Sequence, residues 1–368
     1  MLRRLDWVLA LAVLALCAIG TVLVFSATRG RLADAGSDPM GYLKRNVLNI
    51  AIGLALATAI ALFDYRMLRA YAPFVYIASV IGLLAVLSPL GSTVNGSHSW
   101  IILPGGFSVQ PSEFAKVALC VGLAMILSEK RDAEDQPRIV DVGIALVVAA
   151  VPIALIMLQP DLGTTIIVGF IVLGILAVAG TPAPWLAGLV ALGVLGAGLA
   201  IQAGVLSTYQ LNRFAAFTNP EFDPAGAGYQ LKQARIAIGS GGFNGSGLFQ
   251  GTQTNGKFIP EQQTDFIFTV AGEELGFVGA AAIIVLLGIV VWRAMRIALR
   301  AEDMFGRLVA AGIVCWFTFQ MFENIGMTLG IMPMTGVPLP FVSYGGSSMF
   351  ASLMAIGLLE NVHMRRYA

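Results

Sequence analysis

The chain has 368 residues, of which 57% are hydrophobic and 12% charged, a charged share about half that of an ordinary soluble domain. Roughly 210 apolar residues suffice for about ten membrane crossings, since a helix rising about 1.5 Å per residue needs about 20 residues to cross about 30 Å of hydrocarbon. With 22 Lys plus Arg against 21 Asp plus Glu the net charge is +1, so composition excludes a soluble enzyme and gives no basic field for nucleic acid.

Apolar runs near residues 6–27, 46–63, 71–90, 112–128, 142–158, 164–180, 184–203, 265–292, 308–328 and 347–363 predict an all-α polytopic membrane protein, a bundle of about ten transmembrane helices forming a single integral membrane domain over 1–368. The first run exceeds the h-region of a signal peptide and reads as an uncleaved anchor. Between the seventh and eighth runs, residues 204–264 are too long for a plain connection and are expected to fold as an extracytoplasmic cap loop. Within it, Tyr229–Ile238 has the period of an amphipathic interfacial helix ended by Gly239. The glycine-rich 239–247 tract lacks a Walker lysine and a dinucleotide register, and reads as flexible turns against the membrane surface. Cys17, Cys120 and Cys315 all fall in apolar runs and read as packing.

Orientation follows from Lys and Arg, which collect on the cytoplasmic side. With the N-terminus inside, 13 of the 22 fall in inner segments and 8 in outer ones; the first outer loop, with Arg29, Arg31, Lys44 and Arg45, runs against the rule. Both termini are therefore expected in the cytoplasm, and the unusual polar sequence (95–112, 159–163, 204–264 and 330–347) falls outside, where loops on a rigid scaffold carry function.

Two histidines, His98 and His363, without metal-ligand spacing argue against a zinc hydrolase, and no G-x-S-x-G elbow occurs. The positive signals are acids and cations at the outer membrane edge, where they are costly. Asp265, just before an apolar run, could cap a helix. On a continuous helix it would instead share a small polar stripe with Thr269, Gly272 and Gly276 that opens toward a cavity, as a general base would require. Glu273 and Glu274 point apart on such a helix and are expected to bind neighbouring helices. Glu113 and Lys116, three residues apart, can pair on one helix face, or Lys116 can meet an anionic head group. Asp161 adds an acid, and Arg213 a guanidinium suited to pyrophosphate oxygens or to interfacial anchoring. Glu323, beside Asn324, is expected to be an internal hydrogen-bond node.

Taken in order, Gln110-Pro-Ser-Glu113, Gln159-Pro-Asp-Leu-Gly-Thr164, Gly226–Gln230 through Ile236–Gly242, Thr264-Asp-Phe-Ile-Phe268 with Glu273-Glu-Leu-Gly276, and Asn324-Ile-Gly-Met327 with Gly336–Gly346 resemble the SEDS family of shape, elongation, division and sporulation proteins, within it the RodA branch. The resemblance implies a peptidoglycan glycosyltransferase of the bacterial cytoplasmic (inner) membrane. Such an enzyme polymerises lipid II into a nascent glycan strand on the extracytoplasmic side, beside a class B penicillin-binding protein that cross-links the strands. It implies that Asp265 is the essential acid. Lys116, Arg213, Glu113, Asp161, Asn95, Gln110 and Ser343 are then candidates for contact with lipid pyrophosphate or sugar, with Glu273, Glu274 and Glu323 structural or cavity-lining. A divalent cation bridging Asp265 to the pyrophosphate is compatible with this chemistry, but the sequence has no ligand spacing for one. The chain departs from the family's pattern at Asn95–Trp100, where an Arg is common and His98 stands, and at Gln263, where a His often precedes Thr-Asp. Short termini and Asn324–Met327 resemble the elongation branch; a division-type paralogue and a lipid-linked precursor flippase or transporter are the alternatives. A transporter is expected to carry paired broken helices.

Overall fold

The computed structural model describes residues 4–94, 97–103, 107–129, 137–202, 204, 208–224 and 226–365. Each of the ten apolar runs is helical: α1 (Trp7–Asp34), α2 (Gly41–Leu62), α3 (Tyr65–Leu87), α4 (Pro111–Leu127), α5 (Ile139–Met157), α6 (Leu162–Val178), α7 (Ala183–Gln202), then, after the 204–264 segment, a divided α11 (Ile267–Glu274) and α12 (Gly276–Arg300), followed by α13 (Met304–Leu329) and α14 (Gly346–Arg365). Seven of these are long and apolar enough to cross a membrane, while α4 and α6 have 17 residues each. The protein is an all-α polytopic membrane protein. One departure is a small antiparallel sheet, β1 (Ser92–Val94), β2 (Ser97–Leu103) and β3 (Phe107–Val109), with Ser92 opposite Trp100 and Ile101 opposite Val109.

Helix starts are set by aspartates whose side chains accept orphan N–H groups: Asp6 from Leu9 at 3.2 Å, Asp161 from Thr164 at 3.0 Å and Asp303 from Gly306 at 3.2 Å. The centre is α13, with 72% of its apolar window buried, whereas α7 has none buried and stands at the edge. Small residues let α14 lie against α2: a Cβ on Gly357 would come within 2.5 Å of the Ala57 carbonyl oxygen, and one on Gly53 equally close to Leu353. At the N-terminal end of α1, Asp6 pairs with Arg293 at 2.5 Å and its N–H donates to Glu360 at 3.0 Å, tying α1, α12 and α14 together.

The segment after α7 contributes α8 (Thr208–Thr218), α9 (Ala227–Ser240) and α10 (Thr252–Gly256). Ala227, Leu231, Ala234 and Ala237 of α9 bury one face in a small core with Ala216, Ile259, Phe266 and Met334. So α9 packs on α11 and α13, and it runs one residue past Gly239. Two of the four cations that broke the charge rule have partners in this segment. Arg29 and Arg31 lie within the extended α1, donating to the Phe249 carbonyl at 2.8 Å and to Gln263 Oε1 at 2.6 Å. Lys44 pairs with Asp38 at 2.7 Å.

The eighth run is not one helix. Gly276, at φ +66°, divides it, leaving carbonyls at the end of α11 and N–H groups at the start of α12 without intrahelical partners, a cost hydrocarbon cannot relieve. The glycine-rich tract supplies them: Ser246 N donates to Glu273 O at 2.9 Å and Gly247 N to Glu274 O at 3.1 Å, while Phe277 N and Val278 N donate to Gly242 O and Phe243 O at 2.9 and 3.2 Å. The expectation of flexible turns was wrong because glycine here serves close backbone approach. A Cβ on Gly245 would lie 2.2 Å from Glu274 O, and one on Gly276 2.2 Å from Gly245 N. Gly276→Ala is therefore expected to lower the melting temperature in detergent, its positive φ alone costing about 1–3 kcal/mol. An unchanged melt would mean that the break relaxes freely.

Candidate active site

Asp265 lies in the turn before α11, whose N-cap is Phe266 without a side-chain cap bond, so neither sequence expectation for its setting holds. It caps nothing, and the stripe with Thr269, Gly272 and Gly276 does not exist. Thr269 is buried and donates to Phe266 O at 2.6 Å, Gly272 faces Ile238, and Gly276 faces Gly245. A continuous helix was assumed where the chain turns.

What fixes Asp265 is its main chain. Three consecutive carbonyls accept hydrogen bonds: Gln263 O from Tyr344 N at 2.9 Å, Thr264 O from Ser343 Oγ at 2.5 Å, and Asp265 O from Asn324 Nδ2 at 2.8 Å. The carboxylate and the Arg213 guanidinium of α8 both lie against Gly336: a Cβ built on Gly336 would be 3.1 Å from Asp265 Oδ2 and 3.1 Å from Arg213 Nη1. Burial pushes the Asp265 carboxyl up to about 6, against the opposing pull of Arg213 and with a further push from Glu261. A carboxylate poised there can take a proton near neutral pH.

Asp161 accepts from Thr164 N at 3.0 Å, Thr164 Oγ1 at 2.8 Å and Gln110 Nε2 at 3.2 Å, joining the starts of α4 and α6. Burial raises its pKa, with the Thr164 bonds working against it. Gln110 N donates to Ser347 Oγ at 2.9 Å. Lys116 is 0% exposed; its Nζ donates to Glu113 Oε1 at 2.9 Å and Gln320 Oε1 at 3.0 Å and stands 4.7 Å over the Trp316 ring. The ion-pair alternative for Glu113 and Lys116 is the one realised, with Gln320 as the second acceptor of the ammonium. The Ser343 hydroxyl is also committed, accepting from Leu339 N at 2.8 Å as well as donating to Thr264.

Glu273 accepts from Gln253 N at 2.6 Å and from Thr254 N and Oγ1 at 3.0 and 2.8 Å, anchoring α10, and Glu274 accepts from Ser26 of α1 at 2.6 Å. Glu323 is buried beside Thr335, and its neighbour Asn324 carries the hydrogen bonds to Val337 O and Asp265 O. His98 Nδ1 is 3.0 Å from Thr93 Oγ1 within the small sheet. Asn95 lies outside the described residues. Gln320 and Gly336 were missed as single residues. Gln320 had a signal, since Gln320, Glu323 and Asn324 place polar side chains at helical spacing inside an apolar helix. Among the described residues no three His, Cys, Asp or Glu side chains converge as a metal site.

A family model for cell cycle proteins, covering FtsW, RodA and SpoVE, matches residues 6–368. The chain is 38% identical to the peptidoglycan glycosyltransferase MrdB of Escherichia coli K12, over 99% of this chain and 94% of that one. It is 40% identical to the stage V sporulation protein E of Bacillus subtilis 168, over 97% and 96%. A solved structure of a peptidoglycan synthase complex coordinating polymerization and crosslinking contains a chain with a TM-score of 0.81 and 33% identity, covering 99% of this chain and 98% of that one.

The raised carboxyl makes a signed prediction. With a folded pKa of about 6 against an ordinary 3.8, the folded state holds its proton where the unfolded state has lost it, so stability falls as pH rises through that window. Asp265→Asn should match the parent's melting temperature near the bottom of the window and exceed it increasingly up to about pH 6, then stay constant. A difference that does not change with pH would show an ordinary carboxyl.

Proposed function

Because the chain belongs to the FtsW, RodA and SpoVE family of cell cycle proteins, we propose that it is a peptidoglycan glycosyltransferase polymerising lipid II at the outer face of the bacterial cytoplasmic membrane, with Asp265 as general base. The observation that carries this reading is the carboxylate of Asp265, held by its own backbone and lying with Arg213 against Gly336. The acceptor sugar's 4-hydroxyl attacks the anomeric carbon of the growing strand as Asp265 takes its proton, and the lipid pyrophosphate departs with its negative charge against Arg213. Arg213 suits both tasks, since its planar fork can hold two pyrophosphate oxygens while its charge opposes the rise that burial gives the Asp265 carboxyl.

Asn324–Met327 supports work in elongation. Kinship to a chain found in a peptidoglycan synthase complex supports partnership with a class B penicillin-binding protein. Only one broken helix occurs among the described residues, which does not favour the transporter alternative, for which paired breaks are expected. The 13 to 8 distribution of cations supports cytoplasmic termini and an extracytoplasmic site.

With purified protein and labelled lipid II, Asp265→Asn should fold and insert yet lose polymer formation by about 10² to 10⁴, the usual contribution of a general base. A loss below about tenfold would end the assignment. For orientation, in a background without Cys17, Cys120 and Cys315, Asn244→Cys should react with a membrane-impermeant thiol reagent on intact cells and Glu129→Cys should not, both positions being exposed. The opposite labelling pattern would put the site in the cytoplasm and defeat the mechanism.

A further inference from the structure

We propose that Gln320 and Asn324 of α13 are positioning residues that connect the buried Lys116–Glu113 pair to Asp265, so that a charge pair which never touches substrate sets where the base stands. The proposal rests on the reading of Asp265 as general base.

The connection is continuous. Gln320 Oε1 accepts both from Lys116 Nζ at 3.0 Å and from Trp316 Nε1 at 2.5 Å. Two donors on one oxygen fix which way the amide faces, because a flipped NH₂ would meet an ammonium and an indole N–H. Its Nε2 is thereby aimed at Pro338 O, 2.8 Å away. One turn on, Asn324 donates both amide hydrogens, to Val337 O at 2.7 Å and to Asp265 O at 2.8 Å. A flip here would set oxygen against two carbonyls, so this amide is oriented as well. The two side chains, both 0% exposed, hold the neighbouring carbonyls of Val337 and Pro338 and the carbonyl of Asp265 itself. Gly336, next to Val337, lies against both the Asp265 carboxylate and Arg213. Holding residue 337 therefore places the backbone against which the base and its opposing charge both rest.

Asn324 Oδ1 is buried without any hydrogen-bond partner, so the protein bonds of this amide all run through Nδ2, and an apolar side chain in its place would leave Val337 O and Asp265 O without their donor. The Nδ2 bonds are what the asparagine provides. Positions 316, 320 and 324 fall on one stripe of α13, and Lys116 reaches that stripe from α4.

The test uses the full-length protein in detergent with labelled lipid II, measuring kcat, KM, lipid II binding and thermal stability for Asn324→Leu, Gln320→Glu and Lys116→Met, with Asp265→Asn as reference. Asn324→Leu keeps the shape and removes both donors; Gln320→Glu keeps the contacts to Lys116 and Trp316 and removes the donor to Pro338. We expect kcat to fall about tenfold or more in each, with KM and lipid II binding within about twofold of the parent; the melting temperature of Asn324→Leu falls too, because two buried carbonyls lose their donor, so the split of kcat from KM and binding is the deciding readout. Lys116→Met combined with Asn324→Leu should cost less than the product of the two single losses, as for members of one connected unit. Parental kcat in folded Asn324→Leu, or losses that multiply in the double variant, would overturn the connection while leaving the base reading intact. Should Asn324→Leu fail to fold, Gln320→Glu decides by the same kcat criterion. Activity surviving in Asp265→Asn would instead defeat the reading of the base on which the proposal rests.

Discussion

The architecture depends on one requirement: where the chain breaks between α11 and α12, every backbone polar group must find a partner, because hydrocarbon offers none. The partners come from residues 242–247, and only glycine lets two main chains approach within the distances seen at Gly245 and Gly276. That contact fastens the segment after α7 to the bundle. Glu273 fastens it again by accepting the N–H groups at the start of α10. With both anchors in place, the chain returning into α11 is delivered as a fixed turn, and Asp265 sits in it.

The turn is held in a way that leaves the carboxylate available. Its carbonyls are taken by Tyr344, Ser343 and Asn324, so the backbone is immobilised without using the side chain. Burial raises the carboxyl to about 6 and Arg213 opposes that rise, which balances a group able both to accept and to release a proton near neutral pH. Polar side chains inside a bundle are costly. In α13 the donors of Trp316, Gln320 and Asn324 meet carbonyl or carboxamide oxygens, and Glu323 stands beside that chain and outside it.

Much of this was legible in the sequence. The ten apolar runs, the gathering of polar motifs between them and the prominence of Asp265 and Arg213 all follow from the price of charge and backbone in lipid, which acts on each segment by itself. The periodic reading of residues 265–292 failed because apolar character persists across the break, and hydropathy does not register a positive φ at Gly276. Lys116 was aimed at a head group because its distance from the surface depends on how α4 sinks against α13. Ser343 was offered to substrate because its engagement with Thr264 O joins residues 79 apart in sequence.

By itself the sequence determined the membrane class, the helices and the chemical types at the outer edge, since these are set by local composition against a uniform solvent. Tertiary structure alone decided that the glycine tract completes a broken helix, that Lys116 is enclosed against Glu113 and Gln320, and that Asp265 and Arg213 both lie against Gly336. Each of these joins segments remote along the chain, and their contacts are fixed by hydrogen-bond satisfaction between main chains and buried amides, which no single segment carries.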